Sequence, residues 1–149
     1  MSRRFLLLLW ALLIPVIAAQ TVVAAEVEFY NDGPLEELGL PFSESVRAGD
    51  LLFLSGQIGG GADGKLAPGG IKAETNQILL NIAATLEKRG LGMEDVIKCT
   101  VFLTDISEWA AFNEVYVKHF NAPYPARSAL GANGLALNAR AEVECIAAY

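Results

Sequence analysis

Arg127 stands just after Pro125-Ala126, at the start of a strand-like run where the backbone aims its side chain consistently. A guanidinium is planar and always charged, so it can hold a carboxylate by two parallel hydrogen bonds. The alternative is a surface or interface salt bridge, which residue type alone favours. Fifteen residues on, Glu142 lies in the run Arg140–Ala148, which alternates polar and apolar positions. A partly desolvated carboxylate can move protons near neutral pH, because burial raises its pKa. Glu144 lies two residues further along and points the same way, so a solvated strand face is equally consistent, and pattern alone does not separate the two glutamates. Ser55 and Gly56 end another strand-like run. There a missing side chain lets backbone approach a ligand, and a hydroxyl could meet it. Asn113 either braces such a site through hydrogen bonds or ties a helix to a loop.

Other chemistries are excluded or weakened. No GxSxG elbow surrounds Ser55 or Ser128, so neither reads as a hydrolase nucleophile. The sequence has no CxxC, HExxH, Walker loop or dinucleotide fingerprint, and His119 is its one histidine. A multi-histidine metal site within one chain is therefore excluded, and no metal or cofactor is implied. His119 falls in the last turn of a helix, where a favourable dipole contact explains it. Cys99 and Cys145 lie in apolar strand-like runs and read first as small buried hydrophobes. A bridge between them stays open, since sequence does not fix their distance.

The elements that must carry these residues follow in order. Ser45–Arg47 and Leu51–Ser55 read as a hairpin around Ala48-Gly49-Asp50. Gly59–Gly70, with its glycines and Pro68, reads as a loop. Ile71–Arg89 reads as a helix, with Ile78, Leu79, Ile82 and Leu86 at helical spacing and Gly90 as its stop. Val96–Leu103 is β-branched and aromatic, a strand. Ser107 can cap a second helix that places Trp109, Phe112, Tyr116 and Phe120 on one face, which suits a core. Arg127–Leu130 and Arg140–Ala148 complete the set. The order β-β-α-β-α-β-β predicts an α+β fold, a mixed sheet with both helices on one face. The other face is left uncovered, which predicts a closed oligomer.

Residues 1–25 stand apart from this domain. Arg3 and Arg4 precede an uncharged apolar run, and Val23-Ala24-Ala25 supplies a small-residue cleavage site. This is the pattern of a secretory signal peptide, although the run is also long enough for an uncleaved anchor. Cleavage after Ala25 leaves a single domain, 26–149, exported to the periplasm or outside the cell, without stable membrane insertion. Removing two arginines leaves 9 basic and 17 acidic residues, a net charge of −8. That balance repels phosphate backbones and argues against nucleic acid as a partner.

Several segments in this order resemble the YjgF/RidA family, also called UK114 or L-PSP. They are Pro41-Phe42-Ser43, Leu52–Ile58 (LFLSGQI), Val101–Asp105 (VFLTD), Phe112–Tyr116 (FNEVY), Tyr124–Ser128 (YPARS) and the closing Ala141–Ala147. The resemblance covers Leu40 to Tyr149. It implies a chorismate-mutase-like fold and a homotrimer whose sheets form a central barrel, with active sites in the clefts between subunits. It implies hydrolysis of 2-iminopropanoate and 2-iminobutanoate to ammonia and 2-oxo acids. Arg127 would bind the substrate carboxylate, and Glu142 would contact the catalytic water. Ser55, Gly56 and Phe42 would line the substrate, and Asn113 would support the site. Other members are described as endoribonucleases. A non-catalytic trimer that binds small carboxylates is the first alternative; an RNA-cleaving enzyme of the L-PSP type comes third, since the acidic balance and the lack of a histidine pair for acid/base cleavage both oppose it. Two positions depart from the family pattern: Ala129 replaces the cysteine after Arg-Ser, and Phe42 replaces tyrosine. The first removes a reactive thiol, and the second removes a hydroxyl that could bond substrate or water.

Overall fold

The computed structural model describes residues 24–32 and 39–149. The expected leader lies outside them except for Ala24 and Ala25. Seven strands form one mixed sheet: β1 (Val27–Tyr30), β2 (Ser45–Ala48), β3 (Leu51–Leu54), β4 (Gln57–Ile58), β5 (Val96–Leu103), β6 (Ala126–Gly131) and β7 (Ala141–Ala148). Spatial order is β1-β2-β3-β7-β5-β6, with β4 also paired to β7. Only β5 and β6 run parallel; the other pairs are antiparallel. Helices α1 (Ile71–Glu87) and α2 (Trp109–Tyr116) cover one face. This is the α+β architecture that the sequence predicts. Among the described residues no helix is long and apolar enough to cross a membrane.

Helix α1 is held by its apolar stripe. Ile78, Leu79, Ile82 and Leu86 are fully buried, and each such side chain stabilises by about 1.5–3 kcal/mol. They pack on the inward residues of the central strands: Leu52 and Leu54, Val101 and Leu103, Ala141 and Val143. The helix closes as the Leu91 N–H reaches back to the Leu86 carbonyl, with Gly90 left-handed at φ 73°. That geometry favours glycine. The expected end at Arg89 therefore overshoots the regular helix by two residues of turn.

Four expectations need correction. The segment after residue 26, to which the expected element order assigns no strand, contains β1, which pairs with β2 from Val27↔Ala48 to Tyr30↔Ser45. Gln57–Ile58 forms a further short strand on β7. Asp105, not Ser107, caps the turn before α2, its carboxylate accepting the Ser107 N–H at 2.9 Å. Cys99 and Cys145 form a disulfide. They are direct cross-strand partners on β5 and β7, with Cα atoms 4.2 Å apart, a separation that only the strand register reveals.

The uncovered face carries an apolar row. Phe29, Val46, Phe53 and Ile146 are successive register partners across β1, β2, β3 and β7. Phe29 is 71 % exposed and Phe53 41 %.

Candidate functional site

Ser55, Gly56 and Glu142 meet. The Ser55 hydroxyl donates to the Ser43 carbonyl at 2.6 Å, and the Ser55 N–H donates to the Glu44 carbonyl at 3.1 Å. Glu44 is itself buried and accepts from Lys88 at 2.9 Å and from Thr85 at 3.2 Å. Helix α1 thereby pins the segment that holds Ser43 and the neighbouring, exposed Phe42. The serine proton is committed, so its oxygen can meet a ligand only as an acceptor.

Gly56 is small for a local reason. A Cβ there would lie 2.0 Å from Glu142 Oε1. The room that the sequence reading gave to a ligand is filled by the Glu142 carboxylate. Glu142 is half-buried and sits between Ile58 and Phe102 in the register of β4, β7 and β5. Its strand is anchored at its start, where the Arg140 N–H donates to the buried Glu74 at 2.8 Å. Gly59, just past β4, packs on the backbone of that same Glu74. Glu144 shares the face but is exposed, opposite Thr100. It borders an open hollow with Ser55, Gly56 and Lys98. Lys98 reaches across that face to the Ser128 hydroxyl at 2.9 Å.

Arg127 lies elsewhere. It is the register partner of Cys99, whose side chain is in the core beneath the helices. Arg127 therefore points to the helix side of edge strand β6. Its guanidinium carbon is 4.6 Å from the centroid of Tyr116, 5.5 Å from Trp109 and 5.9 Å from Phe112. These rings attract the cation through their faces. Among the described residues Arg127 has no ion-pair or hydrogen-bond partner. Asn113 borders the same hollow, together with Tyr116, Val117, Tyr124 and Pro125. Tyr116 is 3 % exposed, and its hydroxyl has no partner among the described residues. Burial raises its pKa, partly offset by Arg127.

Two half-sites result. Ser55, Gly56 and Glu142 form one; Arg127 and Asn113 form the other. Phe42 is exposed and next to Ser43 in the chain, and it lines the hollow of neither. Glu142 and Arg127 face opposite sides of the sheet, so one chain does not bring them together. Sequence reasoning missed the ring of aromatics around Arg127. The stripe Trp109, Phe112, Tyr116 was legible but reads as core. Trp109 is in fact 38 % exposed at the rim. His119 bonds Asn76 Oδ1 at 3.0 Å, and burial, then Lys118, lowers its pKa. Among the described residues no three His, Cys, Asp or Glu side chains gather as metal ligands.

A family model described as Endoribonuclease L-PSP matches residues 37–149. The chain belongs to this family, the RidA/YjgF proteins. A RutC family protein of Pyrococcus horikoshii is 41 % identical over 123 residues, spanning 82 % of this chain and 96 % of that protein. The 2-iminobutanoate/2-iminopropanoate deaminase of Capra hircus is 39 % identical over 108 residues, or 72 % of this chain and 79 % of that one. The crystal structure of RidA from an Antarctic Psychrobacter species superimposes with a TM-score of 0.71 at 36 % identity. It covers 74 % of this chain and 90 % of its own. The α+β fold of this RidA/YjgF chain is the fold of these structures.

Proposed function

We propose that this RidA/YjgF protein hydrolyses reactive 2-imino acids, of the 2-iminopropanoate and 2-iminobutanoate type, to 2-oxo acids and ammonia. The observation that carries the reading is the state of Arg127. It stands over three aromatic rings, and its donors have no partner among the described residues. A guanidinium so held is ready for a substrate carboxylate. Relatives named as deaminases of 2-imino acids support the same chemistry.

In this reading Arg127 fixes the carboxylate. Glu142 takes a proton from a water whose oxygen adds to C2. The C=N electron pair moves to nitrogen, which receives that proton. The carbinolamine then loses its hydroxyl proton to Glu142, which passes it to the amino nitrogen; the C=O bond forms as the C–N bond breaks, ammonia leaves and Glu142 is again a carboxylate. One water is consumed and nothing is oxidised or reduced. Because Arg127 and Glu142 face opposite ways, a second copy must supply one of them. The apolar row from Phe29 to Ile146 supports such packing, and three copies closing a ring of sheets would bury it. Residues 1–25 would direct export, and the Cys99–Cys145 bridge suits an oxidising compartment.

A carboxylate-binding protein without catalysis is favoured by one observation, that a single chain separates Arg127 from Glu142. Ammonia release decides between the two. The 2-imino acids are generated by an amino-acid oxidase, and the rate is followed with and without the protein. Acceleration supports the hydrolase; unchanged rates with retained 2-oxo acid binding leave only the binder.

A further inference from the structure

We infer that the preferred substrates carry a bulky apolar side chain, branched or aromatic, and that Val117, Tyr124 and Pro125 select it. The inference rests on the imino-acid reading and names the substrate class of that same site. The hollow beside Arg127 has a volume of about 400 Å³. Arg127 is its single charged lining residue and Asn113 its single amide. The rest is the apolar bodies of Tyr116, Val117, Tyr124 and Pro125. Val117 is 50 % and Tyr124 55 % exposed, so this apolar surface faces water beside a cation that lacks a partner.

Once a carboxylate is seated on Arg127, C2 is one bond away and the side chain must leave along this wall. A methyl group covers little of the wall formed by Val117, Tyr124 and Pro125 and leaves it wet. A branched or aromatic group displaces that water. In an apolar pocket even one methylene is worth about 10-fold or more in kcat/KM. Charged side chains are disfavoured by the same lining. A carboxylate would compete for Arg127, and an ammonium would meet a guanidinium while the site's one acid, Glu142, is committed to the water.

The test compares kcat/KM for imino acids made in situ from alanine, leucine and phenylalanine. The leucine- or phenylalanine-derived substrate should exceed the alanine-derived one by at least about 10-fold. Val117→Trp, at an exposed position outside the core, should fill the hollow and collapse that ratio toward one. Equal rates, or a preference for the alanine-derived imine, overturn the inference while leaving the hydrolase reading intact. If no imine is hydrolysed, the hydrolase reading fails and calorimetry of 2-oxo acids reads the preference instead. Tighter binding of 4-methyl-2-oxopentanoate than of pyruvate supports the hollow's role; equal binding, or none, removes it.

Discussion

Gly56→Ala tests the geometry of the acidic half-site directly. Its backbone is not left-handed, so alanine is conformationally permitted there. The obstacle is steric. The new methyl would stand 2.0 Å from Glu142 Oε1 and 2.9 Å from its carboxyl carbon, where contacts under 3.0 Å essentially never occur. Backbone on both sides is held, Ser55 by Glu44 and β4 by β7. The carboxylate must therefore retreat by about 1 Å, a displacement that can cost roughly 100-fold in rate. In the proposed site the carboxylate of a 2-oxo acid sits on Arg127 and not on Glu142, so its binding should hold. Steady-state ammonia release, calorimetry with pyruvate and a thermal melt measure the three quantities. Gly56→Ala with Glu142→Asp should recover folding stability lost to the clash, because the shorter acid withdraws from the methyl. Full activity in Gly56→Ala would refute the claim that Glu142 works from the position seen here.

Arg127→Lys should keep the fold and lose imine hydrolysis by roughly 30- to 1000-fold. Forfeiting the second charged hydrogen bond and part of the ring packing costs about 2–4 kcal/mol. It should also weaken 2-oxo acid binding, whereas Glu142→Gln should slow turnover and leave that binding intact; activity in both variants would sink the assignment. The bridge closes 46 residues, so Cys99→Ala with Cys145→Ala should lose about 2–4 kcal/mol of stability, read as a fall in the denaturant midpoint. His119 has a folded pKa below the usual 6.5, so the unfolded chain binds the proton more readily. Stability should fall as pH drops through about 6.5, and His119→Gln should blunt the fall between urea midpoints at neutral and acidic pH. Protein recovered from an exporting cell should begin near Glu26 by intact mass and scatter light as three copies; a monomer would leave Arg127 and Glu142 unable to meet.

The sequence determined the fold class and most elements. The helical spacing of Ile78, Leu79, Ile82 and Leu86 and the alternation in Val96–Leu103 are periodic over many residues, and both became buried faces. Family membership was also legible, because the SGQ, FNEVY and YPARS segments occur in order. The short strands β1 and β4 were not, since four and two residues carry too little periodicity. The choice of Asp105 over Ser107 as cap was a contest between two competent acceptors that local pattern does not decide. Pairing of Cys99 with Cys145 required the register of β5 against β7. The separation of Glu142 from Glu144 required knowing which one lies against Gly56. Sequence named Arg127 and Glu142 as residues suited to a carboxylate and a proton. Only tertiary structure put them on opposite faces of one sheet, because the face a side chain takes follows from its strand's position and parity within that sheet, and neither is written in the spacing of two distant residues.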